Sequence, residues 1–309
     1  MDLTRGVYSQ PEDTLLTSRA ADFLSSGPAD VVDLIGHICS LPGAPRIVAE
    51  HMAQAMFSGR REFVRIPDGR WMLAEPIRQP YSPHGAPHGA PHRSPDPHPL
   101  RGLSYVVVDV ETTGGRPYTG DRITEIAAVV VRDGQICELF ESLVNPERSI
   151  PSFITQITNI TWDMVKDAPT FGRIAPDVLR VLEGNVFVAH NAMFDWRFVT
   201  SEISRCAGQK LRGRRLCTVR LARKILPQLP RRSLDYVARY YGVEITSRHR
   251  AAGDALATAQ CLLRMIGDLA DRGCATWEDL DILLATPSAK PKKRRRQALP
   301  TSVSKGTTA

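Results

Sequence analysis

The sequence has little cysteine and no long apolar run. Its six cysteines in 309 residues are scattered, with no CxxC pair, which argues against a disulfide framework or a cysteine-rich zinc site. No apolar stretch approaches the roughly 20 residues that span a bilayer, and the first residues lack the apolar core of a signal peptide. We therefore expect a cytoplasmic protein with no membrane partner.

Acidic residues are missing from one part of the chain. Residues 286–309 contain seven Lys and Arg and no Asp or Glu, and the rest of the chain has 33 residues of each sign. The net charge of +7 therefore comes from this tail, which lacks the apolar residues needed to fold. We predict a basic disordered tail over 286–309, and any nucleic-acid contact of the folded part must depend on local charge.

Proline marks a boundary earlier in the chain. Residues 78–102 contain seven prolines and four of the eight histidines, which favours an extended linker. Before it, residues 1–77 show three segments with helical apolar spacing (12–25, 30–40 and 45–57), then a hairpin pattern over 62–74 around Asp68-Gly69. This order predicts a small winged-helix-like α+β module. Its ten acidic and seven basic residues make a protein partner at least as plausible as DNA.

The pattern over residues 103–285 is that of an α/β domain. Strands are predicted at 103–111, 123–134, 135–146 and 185–192. Helices are predicted at 152–158, 170–183, 194–206, 217–226, 233–241, 251–269 and 277–285. Three consecutive strands followed by alternating helices and strands imply a mixed β-sheet with helices on both faces.

Two carboxylates interrupt the first strand of this domain. Asp109 and Glu111 lie two residues apart in VVVDVETTG, so both side chains project from the same face. Carboxylates held together next to an apolar strand repel each other and lose hydration. A divalent cation would keep them ionised, and oxygen ligands select Mg²⁺ or Mn²⁺.

Two later segments carry further candidates. Asp195 in VAHNAMFDWRF falls near the start of a helix after a buried strand, where parallel-sheet enzymes gather ligands. His249 and Asp254 in SRHRAAGDALATAQ lie at the start of another predicted helix. Alone, each has an ordinary interpretation as a helix cap or a solvated side chain. The order of these residues along the chain, after Asp109 and Glu111, says more about function than any one of them does alone.

Together these segments resemble the DnaQ-like (DEDDh) 3'–5' exonuclease family, which includes the proofreading epsilon subunit of bacterial DNA polymerase III. The first motif is Asp109-Val110-Glu111-Thr112-Thr113-Gly114, the second His190-Asn191-Ala192 with Phe194 and Asp195, and the third His249-Arg250-Ala251 with Asp254 and Ala255. One departure is Asn159, where the family usually has Gly. Asn tolerates positive φ well, so we expect the turn to be retained.

The resemblance implies an RNase H-like fold over about residues 103–270 and phosphodiester hydrolysis with two Mg²⁺ or Mn²⁺ ions. Asp109, Glu111, Asp195 and Asp254 would hold the ions, and His249 would deprotonate the attacking water. The backbone near Val110, Thr112 and Thr113 and the side chain of Asn191 would bind the terminal nucleotide.

Local charge agrees with a polyanionic substrate, because residues 205–239 contain eleven Lys and Arg and one acid. We therefore predict a metal-dependent 3'–5' exonuclease that acts on single-stranded or frayed 3' ends, with DNA favoured, in proofreading or repair. The alternatives are an RNase T-like or oligoribonuclease-like exoribonuclease and a non-catalytic nucleic-acid-binding module. A bacterial, nucleoid-associated enzyme with a DNA polymerase or repair protein on its N-terminal module is the expected setting.

Overall fold

A computed structural model describes residues 6–74 and 98–286. The strands are β1 (Tyr8–Pro11), β2 (Phe63–Arg65), β3 (Trp71–Leu73), β4 (Tyr105–Thr112), β5 (Ile123–Arg132), β6 (Gln135–Leu143), β7 (Val186–Ala189), β8 (Gln209–Arg212) and β9 (Arg215–Cys217). The helices are α1 (Leu15–Leu24), α2 (Val31–Cys39), α3 (Arg46–Phe57), α4 (Ser152–Thr158), α5 (Trp162–Val165), α6 (Phe171–Leu182), α7 (Ala192–Ala207), α8 (Thr218–Ile225), α9 (Leu234–Tyr241), α10 (Ala251–Asp271) and α11 (Trp277–Ala285). None of the helices within these two ranges combines the length and the apolar character needed to cross a membrane.

A five-stranded mixed sheet in the order β6-β5-β4-β7-β9 forms the centre of the larger region. Strand β5 runs antiparallel to β4 and β6, whereas β4, β7 and β9 are parallel. The β-branched runs in β4 and β5 suit this buried position. The predicted α/β class is confirmed, and the strand order is that of an RNase H-like sheet.

Alternate residues of the central strands pack against different helices. Tyr105 and Val107 of β4 belong to an apolar core with residues of α8, α9, α10 and α11. Val106, Val108 and Val110 belong to a second core with α6 and α7. The side chains of odd-numbered residues on β4 therefore face α10, which decides where Asp109 and Glu111 point.

The N-terminal residues form three helices and a hairpin, as their spacing predicts. A separate core joins α1, α2 and α3 to the hairpin, and the ring of Phe57 on α3 contacts those of Phe63 on β2 and Trp71 on β3. Thr14 caps α1 in a capping box, and Asp30 caps α2. The winged-helix identity of this module and the division of the chain into domains remain predictions.

Two segments lie elsewhere than the sequence suggests. Strand β1, in the part of the chain grouped with the N-terminal module, pairs antiparallel with β8, and Val7 packs in the α6–α7 core. Residues 98–102, taken as the end of the linker, pack on α11, where the Trp277 N–H donates to the His98 carbonyl at 2.9 Å. The other linker positions, 78–97, and the predicted tail from residue 287 lie outside the described residues.

Candidate active site

The first two candidate carboxylates lie on the central strand of the sheet. Asp109 and Glu111 of β4 are half-buried and face α10. Their partners on β5 are Ala127 and Glu125, and a register irregularity follows between Glu111 and Thr112. The strand therefore ends its regular pairing directly beside the acidic residues, as often happens next to functional sites.

Asp195 reaches the same place from the other face of the sheet. Strand β7 ends at Ala189, Asn191 adopts a left-handed φ of 97°, and α7 begins at Ala192. Asp195 falls in the first turn of α7, is only 4% exposed, and accepts the backbone N–H of Val110 at 3.3 Å. That hydrogen bond ties Asp195 to the residue between Asp109 and Glu111.

The third motif supplies two further groups from the start of α10. His249 is exposed and has a left-handed φ of 61°, and its backbone N–H donates to Asp254 Oδ2 at 3.3 Å. Carboxylate oxygens of Glu111 and Asp254 and a ring nitrogen of His249 all lie within 4.8 Å of one another. The structure thus brings together all five predicted catalytic positions, four of which we call the acidic cluster: Asp109, Glu111, Asp195 and Asp254.

The acidic cluster is electrostatically unfavourable without a counter-charge. Burial raises the pKa of Asp109 well above its ordinary value, and the charges of Asp195, Asp254 and Glu111 raise it further. Burial, with Asp254 and Glu125, raises the pKa of Glu111 to about 8. Burial raises the pKa of Asp195 to about 7. Burial also raises the pKa of Asp254, although the nearby Arg248 charge opposes that rise. Clustered carboxylates with raised pKa values are typical of functional sites.

The residues present fit divalent metal ions. Mg²⁺ and Mn²⁺ prefer oxygen ligands, and the cluster offers four carboxylates. Asp254 Oδ1 is buried and has no hydrogen-bond partner within residues 6–74 and 98–286. A buried carboxylate oxygen without a donor is costly unless a cation binds it.

Sequence reasoning missed two residues beside the cluster, Glu125 and Arg248. Glu125 of β5 is buried and accepts bonds from Arg250 at 2.6–3.1 Å and from the first N–H of α10, that of Ala251, at 2.9 Å. An acidic residue inside the apolar strand ITEIAAVVV is the signal that could have found it. Arg248 pairs with both Asp254 and Asp235, and the sequence carries no signal for that pairing.

The four predicted nucleotide-binding positions differ in availability. The Thr113 side chain is 1% exposed and accepts the backbone N–H of Arg122 at 3.0 Å, and the Thr112 hydroxyl donates to the Gly114 carbonyl at 2.6 Å. Val110 is buried, whereas Asn191 is exposed. Of these side chains, only that of Asn191 is open to a ligand.

Two other positions singled out in the sequence, His190 and Asn159, have structural roles. His190 bonds to Thr218 Oγ1 and to the Arg232 carbonyl, both at 2.8 Å, and burial lowers its pKa to about 4, so it is a neutral tie between β7 and the segments around α8. Asn159 ends α4 with a left-handed φ of 57°, which confirms that Asn keeps the turn.

Many cations of the basic stretch 205–239 bind within the protein. Lys210 and Arg212 pair with Asp13, and Arg215 lies over the Trp196 ring at 5.0 Å. Arg232 donates to the carbonyls of Leu226 and Pro227. Part of this stretch is therefore structural.

Comparison with known proteins identifies the family of the chain. The sequence profile of the exonuclease family (RNase T type) matches residues 106–262, about half of the chain. The chain therefore belongs to this exonuclease family, and the predicted DnaQ-like relationship is confirmed.

Individual relatives match more than half of the chain. The chain is 36% identical over 189 residues to a PolC-type DNA polymerase III of Caldanaerobacter subterraneus subsp. tengcongensis, an alignment covering 61% of this chain and 13% of that protein. It is 39% identical over 165 residues to the 3'-5' exonuclease DinG of Bacillus subtilis, covering 53% of this chain and 18% of that protein. The chain thus spans less than a fifth of the length of these two relatives. Among solved structures, Exonuclease X in complex with 5' overhanging duplex DNA matches with a TM-score of 0.47 and 28% identity, covering 58% of this chain and 99% of that one.

Proposed function

We propose that this protein is a metal-dependent 3'–5' exonuclease that releases nucleoside monophosphates from the 3' ends of DNA. The observation that carries the proposal is the convergence of Asp109, Glu111, Asp195, His249 and Asp254 at one end of the sheet. These positions come from three distant segments, and all five keep the residue type that the chemistry needs. A non-catalytic module would have no reason to maintain so repulsive a cluster.

The acidic cluster would hold two Mg²⁺ or Mn²⁺ ions. Bound there, the ions would stabilise the attacking and leaving oxygens of an in-line displacement at phosphorus. Neutralisation by the ions is also what would let the buried carboxylates ionise near neutral pH.

His249 would take the proton from the attacking water. It lies on the solvent side of the cluster, and its backbone is fixed by the bond to Asp254. An imidazole is suited to this step, because its ordinary pKa lies near neutrality.

The terminal nucleotide would be held mainly by main-chain groups around Val110, Thr112 and Thr113, because the two threonine side chains are engaged within the protein. Asn191 would add a side-chain contact from the exposed start of α7. This arrangement reads the chain end without requiring a particular base.

DNA is the substrate that the relatives favour, since one of them is named as a DNA polymerase III. An N-terminal module bound to a polymerase or repair protein would fit the same setting, in the bacterial cytoplasm at the nucleoid. Exposed Ile47 and Val48 on α3 and the module's excess of acids favour a protein partner over a nucleic acid there.

The test is a matched set of 3'-labelled oligonucleotides, DNA and RNA, each single-stranded, paired and mismatched, in Mg²⁺ and in Mn²⁺. We expect release of labelled mononucleotide, fastest from single-stranded and mismatched DNA. Faster release from RNA would instead identify an exoribonuclease, and no release in either metal would reject the proposal.

A further inference from the structure

Arg248 is the cation closest to the acidic cluster in the contacts that the structure gives. Its Nη1 pairs with Asp254 Oδ2, and its Nε donates to Asp235 Oδ1 at 2.9 Å. Asp235 lies on α9 and is 51% exposed as a side chain, whereas that of Asp254 is only 6% exposed. The guanidinium thus bridges a solvent-side carboxylate and a buried one.

The charge of Arg248 extends over the cluster. The guanidinium contacts Asp254, and carboxylate oxygens of Asp254 and Glu111 lie within 4.8 Å of each other, so its positive charge also lies close to Glu111. The Arg248 side chain is 35% exposed, so solvent screens part of its charge while it contacts both Asp235 and Asp254. These are the properties of a counter-charge for a site that otherwise contains four carboxylates.

A divalent ion bound to the same carboxylates would lie close to the positive charge of the Arg248 guanidinium. Asp254 has two oxygens: Oδ2 is bonded to Arg248 and to the His249 N–H, and Oδ1 has no partner in the described part of the chain. An ion on Oδ2 would have to displace the guanidinium, and an ion on Oδ1 would lie close to it. Like charges at such distances repel even when partly screened.

Building on the proposed metal site, we propose that Arg248 is a positioning residue that acts as a resident counter-charge: it stabilises the metal-free cluster and weakens divalent-metal binding until it releases Asp254 and keeps only its bond to Asp235. The site of the free protein then fills only at higher metal concentration. Asp235 has the opposite effect, because it neutralises Arg248 and offers the guanidinium a second partner.

The experiment is Mn²⁺ binding to the full chain, measured by calorimetry and by the electron paramagnetic resonance of free Mn²⁺, with no nucleic acid present. We expect Arg248→Gln to bind Mn²⁺ roughly tenfold more tightly than wild type, about 1.4 kcal/mol. Arg248→Lys keeps the charge and should bind close to wild type. Asp235→Asn should bind several-fold more weakly, and this loss should largely vanish when it is combined with Arg248→Gln.

Arg180→Gln is the matched control, because it removes the same charge from a surface ion pair in which Arg180 Nη2 lies 2.8 Å from Glu138 Oε1. This variant should leave Mn²⁺ binding unchanged. Unchanged or weaker Mn²⁺ binding in Arg248→Gln would overturn the inference and show that Arg248 only supports the loop or orients Asp254. Failure of the proposed function would give a different result. Mn²⁺ binding to wild type would then be absent, or would persist unchanged in Asp254→Asn.

Discussion

Glu125 offers a demanding test of how the site is built. It is 5% exposed, lies opposite Glu111 on β5, and is bonded to the Arg250 guanidinium and to the first N–H of α10. It therefore fixes the start of the helix that carries Asp254, directly after His249. We predict that Glu125→Gln destabilises the protein and misplaces both catalytic groups.

The magnitude follows from the bonds that are lost. A hydrogen bond to a charged group contributes about 1.5–3 kcal/mol, and breaking a fully buried ion pair costs roughly 3–5 kcal/mol. The Arg250 side chain is 41% exposed and can be rehydrated, and glutamine can still accept the Ala251 N–H. We therefore expect a loss of about 2 kcal/mol in the free energy of unfolding, or roughly 4–8 °C in Tm.

Urea and thermal unfolding measure the loss of stability, and kcat in saturating Mn²⁺ measures the displacement of the catalytic groups. Displacement of His249 and Asp254 by a fraction of an ångström should lower kcat by roughly 10–100-fold. Glu138→Gln, which breaks the surface pair with Arg180, should change stability by less than about 0.5 kcal/mol. If Glu125→Gln is no less stable than that control, the tie between β5 and α10 does not position the site.

Four further outcomes are expected. Asp254→Asn should abolish hydrolysis while leaving the circular dichroism spectrum unchanged, and an active variant would contradict its role as a metal ligand. In EDTA the free energy of unfolding should fall as the pH rises from about 4 through 7–8. The raised pKa values of the acidic cluster make the folded state bind more protons than the unfolded one. Saturating Mn²⁺ should reduce this fall, and a free energy of unfolding that does not change with pH in EDTA would refute the electrostatic description. His249→Ala should lose about 10²–10⁴-fold in rate and recover partly at high pH, whereas an unchanged rate and pH profile would show that the histidine is structural. Deleting residues 286–309 should flatten the salt dependence of DNA binding by a slope of roughly 3–4 without changing single-turnover cleavage, and an unchanged slope would show that the tail does not contact DNA.

The sequence predicts most of the regular structure, because apolar periodicity is strong in the buried elements. The β-branched run of β4 and the apolar stripe of α10 are examples, and both lie where their spacing places them. The edge strands β1, β8 and β9 were missed, since YSQP, QKLR and RLC carry no usable alternation. Strand β1 also pairs with residues about 200 positions away, which no local pattern can indicate.

The residues of the site also fall into those that the sequence predicts and those that it does not. The acidic cluster could be predicted because carboxylates stand out in apolar strands and at helix starts. Its supporting residues could not, because the role of Glu125 depends on the β4–β5 register and that of Arg248 on the loop before α10. Likewise, only the fold reveals that Lys210 and Arg212 pair with Asp13 at the surface.

The central claim is that the acidic cluster hydrolyses nucleic acid stepwise from the 3' end. It is tested most directly with a 5'-labelled single-stranded DNA oligonucleotide incubated with Mn²⁺ and either wild type or Asp109→Asn, and resolved at single-nucleotide resolution. We predict a ladder that shortens one nucleotide at a time in wild type, disappears in EDTA and is absent in the variant. An intact substrate with wild type, internal cuts without a ladder, or an equal rate in Asp109→Asn would contradict the claim.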